Sequence, residues 1–225
     1  IGNDPLSIYQ WGLLNQGQIL HREVDDLHEQ RLVGVPGIDV GWKAFRDRYG
    51  SSLSETVKVA VVDSGVALEH PDLKDVLLPG WNFTTQDLKG DDQPYDDLGH
   101  GTHVAGIIAA AAGNGIGGRG LGENLRIIPV KVLTASEAAP GTPGSPKMIL
   151  SDRITQGILY AVKAGAQVIN LSLGWPKSMD TAYLRQSIKI AQNRGAIVVA
   201  AAGNNSHDGT IFPCAYDGVV CVGAY

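Results

Sequence analysis

An α/β fold of three layers, with helices on both faces of a mostly parallel sheet, is what this sequence predicts, and two observations carry it. Short β-branched apolar runs recur from Val57 to Val222 without polar alternation, as strands covered on both faces require. Between them lie longer segments bounded by helix starts and glycine stops, so that strand and helix alternate along the chain.

The elements follow in order. Residues 1–50 are polar and irregular and read as an arm laid on the main body, with Trp11 and Trp42 as packing anchors. Residues 51–225 carry the sheet. Val57–Val62 is β-branched and bounded by polar residues, hence a strand. His100–Ala112 is an alanine-rich helix ended by Gly113, and Arg126–Leu133 is a second apolar run. Thr134–Lys147, rich in proline and glycine, is a surface loop. Ser151–Ala164 starts on a serine cap and stops at Gly165, so it is a helix. Gln167–Leu173 is a strand, Thr181–Arg194 a helix ended by Gly195, and Ala196–Ala202 and Val219–Val222 are strands. Ligands of such sheets bind beyond the carboxyl ends of the strands. Asp63, Ser172–Gly174 and Gly203–Asn204 each follow a strand directly, so they gather along one edge.

Composition narrows the function. With 225 residues, 44% hydrophobic and 18% charged, the chain is one medium-sized domain of ordinary globular character. Its net charge of −5, without a basic stripe, argues against a nucleic-acid partner. The longest apolar stretches, Ile107–Ala112 and Ala196–Ala202, are too short to span a bilayer. The chain opens on Ile1 with no basic-then-apolar signal, which reads as a processed or engineered start. Cys214 and Cys221 form either a short-loop disulfide, implying an oxidising compartment, or two buried thiols. Two thiolates alone do not complete a zinc shell.

Three segments carry chemistry. Asp63 ends Val-Ala-Val-Val-Asp, where a carboxylate can orient a histidine, ligate a metal or cap a turn. His100 opens its helix between Gly99 and Gly101, leaving room for a substrate. His103, one turn on, is expected to point inward as a packed, hydrogen-bonded residue; as a metal pair with His100 it lacks a third ligand. Asn204 ends Ala-Ala-Ala-Gly-Asn, where a side-chain amide can donate to negative charge developing on a carbonyl oxygen, or can serve the turn alone. A phosphotransfer or nucleotide-binding domain also places aspartates after strands. That class needs a glycine-rich loop between strand and helix, whereas Gly113–Gly122 follows a helix.

Val-Ala-Val-Val-Asp-Ser-Gly, then Glu-His-Pro-Asp-Leu (Glu69–Leu73), His-Gly-Thr-His-Val-Ala-Gly, Ser-Leu-Gly (Ser172–Gly174) and Ala-Ala-Gly-Asn, in that order, closely resemble the subtilisin family of serine proteases, thermitase-like members included. The resemblance runs from about Asn3 to Tyr225. It implies a subtilisin-like fold, incomplete at its carboxy-terminal end, and a serine endopeptidase whose triad runs acid, base, serine. By it, Asp63 orients His100, His100 moves the proton, and Asn204 supports the oxyanion. Ser172, Leu173 and Gly174 wall the cleft for a polypeptide substrate, while His70 and His103 are structural. It also implies a structural calcium ion held by the Asp4 and Asp72 carboxylates, the Asn114 side chain and the carbonyls of Ala111, Ile116 and Gly118.

The family's Gly-Thr-Ser-Met-Ala-type nucleophile motif is absent from these residues. Gly141-Thr142-Pro143-Gly144-Ser145-Pro146 precedes Asn204 in a proline-rich loop and does not replace it. The expectation is therefore a catalytic part whose serine comes from a complementary carboxy-terminal fragment, with a pseudoprotease or binding domain as the alternative. A propeptide or protein inhibitor is a further expected partner, and a secreted or extracytoplasmic setting is expected. His103 stands where kexin-type sequences have arginine, so dibasic specificity is not supported.

Overall fold

The computed structural model describes residues 3–24, 29–85, 90–138, 147–204 and 211–224. In chain order the elements are β1 (Ile19–Val24), β2 (Glu29–Val33), α1 (Trp42–Tyr49), β3 (Val57–Asp63), β4 (Trp81–Asn82), α2 (His100–Ala109), β5 (Leu125–Lys131), α3 (Ala135–Ala138), α4 (Lys147–Lys163), β6 (Val168–Leu171), β7 (Trp175–Pro176), α5 (Ala182–Asn193), β8 (Ile197–Ala201), β9 (Ile211–Phe212) and β10 (Val220–Val222). Six strands form the central sheet in the order β10-β8-β6-β3-β5-β4, and every neighbouring pair is parallel.

Two apolar cores lie on opposite faces of this sheet, which makes the molecule three-layered as its strand pattern predicts. On one face Ala60, Val62, Ile128, Val130, Ile169, Leu171 and Val198 meet Ile154 and Ile158 of α4 and Leu184 and Ile188 of α5. On the other, Val59, Val61 and Ile127 meet Ala105 and Ala109 of α2. Successive residues of β3 thus serve different layers, and every residue from Val59 to Asp63 is buried. Because small side chains line the α2 side, that helix rides close to the sheet. A Cβ added at Gly101 would lie 2.1 Å from the Gly65 carbonyl oxygen and 3.2 Å from the Asp63 Cβ.

Several expected boundaries shift. Helix α2 stops at Ala109 instead of Ala112 because Ala110 turns to φ −52°, ψ 138°. The Ala111 amide then donates to the Asp72 carbonyl, and the Ala110 carbonyl accepts from Gly120. Helix α4 begins at Lys147, so Ser151 is no cap but a buried residue in its interior, its carbonyl accepting the Thr155 hydroxyl at 2.8 Å. The arm is not irregular: β1 and β2 pair as an antiparallel hairpin, and α1 follows. Trp42 is an anchor, its indole donating to the Leu121 carbonyl at 2.8 Å beneath the Arg119 guanidinium, 4.6 Å from the ring. Trp11 is not, being 43% exposed. Of the expected loop Thr134–Lys147, Ala135–Ala138 is helical and 139–146 lie outside the described residues. Cys214 and Cys221 are joined as a disulfide, linking edge strand β10 to the turn after β9.

Candidate active site

Parallel strands send all their carboxyl ends to one edge of the sheet. The central neighbours β8, β6 and β3 therefore deliver Gly203–Asn204, Ser172–Gly174 and Asp63 to that edge together. Asp63 is the last residue of β3 and fully buried. His100 is the first residue of α2 and its side chain is 47% exposed. The His100 Nδ1 stands 2.7 Å from Asp63 Oδ1. The same oxygen accepts the Ser64 amide at 2.7 Å, while Oδ2 is buried with no hydrogen-bond partner among the described residues. A carboxylate so sparsely solvated favours an imidazole that donates to it, which fixes the tautomer with Nε2 free to accept a proton from the open side.

Asn204 follows Gly203, whose φ of 98° turns the chain sharply off the end of β8, and its side chain is exposed. On the neighbouring strand end, the Ser172 hydroxyl accepts from the Asn170 side-chain amide at 2.8 Å, Leu173 is half-buried against the core, and Gly174 is exposed. Ile211, opposite, closes the space between these two strand ends. A Cβ on Gly174 would lie 2.8 Å from its Cγ2, and one on Gly203 would lie 2.6 Å from its Cδ1. Nothing in the sequence pattern singles out Ile211.

The Asp63–His100 pair is braced by residues that no local motif singles out. Asp96 is buried, and its Oδ1 accepts the Ser64 hydroxyl and the Leu98 and Gly99 amides at 2.8, 3.0 and 2.9 Å. Its Oδ2 accepts the Thr102 amide at 2.9 Å and the Thr102 hydroxyl at 2.5 Å. Burial alone would push this carboxyl up; the hydrogen bonds from Thr102, Leu98 and Gly99 outweigh it and hold it below the usual carboxylate value. Lys131, buried at the end of β5, donates to the Ser64 carbonyl at 2.7 Å and to Asp97 Oδ1 at 2.5 Å. The signal available in the sequence was Gly99: a helix opening on glycine has no side-chain cap of its own, and an aspartate just before it can supply one.

His103 is exposed, contrary to the inward orientation expected of it. With His70, Tyr9, Ile107 and Arg119 it lines a cavity of about 430 Å³ outside α2. His70 is also exposed, its Nδ1 accepting the Asp72 amide at 3.2 Å.

The residues expected to hold calcium lie at the far end of α2. Asp4 and Asp72 are both buried, and among the described residues neither forms an ion pair. Asp4 accepts the Gly113 and Gly115 amides at 2.8 and 3.2 Å, and Asp72 Oδ1 accepts the Asn114 side-chain amide at 2.7 Å. The glycine-rich loop after α2, including Ala111, Ile116 and Gly118, therefore wraps both carboxylates. Among the described residues no cluster of three or more Asp, Glu, His or Cys side chains is arranged for a metal. A cation here would depend on amide and carbonyl oxygens as well.

The sheet of six parallel strands carries a histidine at a helix start set on a buried aspartate at the end of a central strand. The model of the subtilase family matches residues 54–225, and the chain belongs to that family. It is 41% identical over 186 residues to the thermophilic serine proteinase of Bacillus sp. (strain AK1), an alignment covering 83% of this chain and 41% of that protein. It is 37% identical to thermitase of Thermoactinomyces vulgaris, over 73% of this chain and 53% of the other. With the major intracellular serine protease of Bacillus subtilis (strain 168) the identity is 40%, over 76% and 51%. The chain thus spans about half the length of the curated relatives it matches.

Proposed function

We propose that this chain provides the acid, the base and an oxyanion donor of a serine endopeptidase that cleaves polypeptides through an acyl-enzyme. The observation that carries the proposal is the 2.7 Å contact between His100 Nδ1 and Asp63 Oδ1, with the acid buried and the ring open to the strand-end edge. His100 Nε2 takes the proton of a serine hydroxyl as that oxygen attacks the scissile carbonyl, and then delivers it to the leaving amine. Asp63 holds the ring tautomer and stabilises the imidazolium formed in between. Asn204 donates to the oxyanion. The backbone of Ser172, Leu173 and Gly174 pairs with the extended substrate, and a propeptide or protein inhibitor would compete for the same edge. No serine among these 225 residues is assigned the nucleophile's role.

Calcium fits the wrapped loop. Two buried carboxylates without a cationic partner among the described residues, beside a turn rich in carbonyl oxygens, form an oxygen donor set suited to a hard cation. Asp4, Asp72, Asn114 and the carbonyls of Ala111, Ile116 and Gly118 would hold it, and its charge would offset theirs. The Cys214–Cys221 disulfide suits an oxidising, extracytoplasmic setting. No described helix is long and apolar enough to cross a membrane.

The test is labelling of the whole enzyme with a fluorophosphonate. The parent enzyme is expected to be modified at one serine, and His100→Ala to lose labelling and peptide hydrolysis together. Turnover or labelling at the parent rate in His100→Ala overturns the assignment.

A further inference from the structure

We propose that Ser64 and Asp96 form a brace that sets the position of His100 against Asp63, making both positioning residues for the reaction. This inference rests on the acid–base role proposed above and deepens it.

Gly99, the N-cap before α2, has φ of 90° and offers no side chain to the helix's first amides. Those amides are satisfied from elsewhere. Gly99 N and Thr102 N donate to opposite oxygens of Asp96, and Gly101 N donates to the Ser64 hydroxyl at 2.9 Å. The backbone on both sides of His100 is therefore held by two side chains. The Thr102 hydroxyl, donating to Asp96, in turn accepts the Ala67 amide at 2.9 Å, which ties the helix to the segment after β3 a second time.

Ser64 is the joint. Its amide donates to the Asp63 carboxylate, its hydroxyl donates to Asp96 while accepting from Gly101, and its carbonyl accepts Lys131. One fully buried residue thus grips the acid with its backbone and the base's helix with its side chain. Removing the hydroxyl frees the Gly101 amide and one Asp96 contact without touching either reacting group. An aspartate brace also places negative charge at a helix amino terminus, where the exposed amides favour it. Lys131 donates to the Ser64 carbonyl and to Asp97, which ties the brace to the end of β5 as well.

A loosened brace lets His100 drift from its attack geometry, and drift of about 1 Å costs about 100-fold in rate. Substrate binding uses other residues. The expected signature is therefore a fall in kcat with little change in KM.

The experiment compares Ser64→Ala, Ser64→Thr, Asp96→Asn and His100→Ala in the whole enzyme, with the folded fraction measured by circular dichroism. Ser64→Ala is expected to lower kcat by about 10- to 100-fold with KM within about threefold of the parent. Ser64→Thr, which keeps the hydroxyl, is expected to restore kcat to within about threefold. The low-field proton resonance of the His100–Asp63 hydrogen bond is expected to shift or broaden in Ser64→Ala and to return in Ser64→Thr. Folded Ser64→Ala enzyme with the parent kcat and an unmoved resonance overturns the brace. So does a kcat loss that Ser64→Thr fails to restore. Asp96→Asn gives the second reading, since an unchanged kcat in that folded variant also overturns it. If His100→Ala keeps parent activity, the acid–base reading itself has failed, an outcome separate from the brace.

Discussion

At the scale of single residues, the site is a contrast between what is buried and what is open. Asp63 is sealed at a strand end, while His100 and Asn204 face the edge. That contrast was legible because each residue sits within a few positions of the element that places it. Strand end, helix start and glycine turn are local features, so local sequence is enough to find them. His103 was misjudged for the opposite reason. Helix α2 is apolar all round, with Val104, Ala105, Ile107, Ile108 and Ala109 in near succession, so no stripe reveals which face is covered. The face that meets the sheet is in fact Gly101, Ala105 and Ala109, chosen by size and not by hydrophobicity. Asn204 supplies the prediction proper to this scale. Its side chain is exposed, so Asn204→Ala should leave thermal stability unchanged. Its kcat should fall by about 10²–10³, the loss expected on removing one oxyanion donor, with KM little altered. Steady-state kinetics on a peptide substrate check this, and a KM effect alone would reassign Asn204 to binding.

At the scale of elements, the central strands and the helices that cover them were legible from the alternation of apolar runs and glycine stops. Thr181 is an instance where the boundary itself was readable. It lies in extended conformation just before α5, and its side chain accepts the Leu184 amide, the bond expected of a helix cap. Ser151 resembles it in sequence but lies inside α4, because the residues from Lys147 continue the helix upstream and tertiary packing buries the serine. A cap signal does not reveal whether the helix has already begun. The arm hid its hairpin because β1 and β2 are rich in charged residues such as Arg22, Glu23, Glu29 and Arg31, which mask strand periodicity. The cap difference is measurable. Thr181→Ala should destabilise the fold by about 1 kcal/mol, whereas Thr181→Ser, which keeps the capping hydroxyl, should leave stability nearly unchanged. Chemical denaturation of both variants decides it, and equal midpoints for the parent and Thr181→Ala would show that the bond contributes nothing.

At the scale of the whole molecule, ties between distant segments depend on closure and not on local pattern, so only the family resemblance, and no local signal, pointed to them. The Asp4–Asp72–loop junction is the widest of them. It joins the arm, the segment after β3 and the turn after α2, through bonds from Leu6 N to the Gly117 carbonyl at 2.8 Å and from Ala111 N to the Asp72 carbonyl at 3.0 Å. Two buried carboxylates at one junction repel each other, and a divalent ion between them would convert that repulsion into attraction for all three segments. Binding to the folded state alone stabilises it by about 2.7 kcal/mol at a free concentration of about 100 times Kd. At roughly 2–4 °C per kcal/mol for a domain of this size, Tm should rise by about 5–10 °C in saturating calcium and fall again with chelator. Asp72→Asn should abolish most of that rise while retaining the fold, because asparagine keeps the shape and loses the charge. Differential scanning calorimetry of the parent and the variant, with and without calcium, is the measurement. A parent Tm indifferent to calcium and chelator would mean that the loop is held by its hydrogen bonds to Asp4 and Asp72 alone.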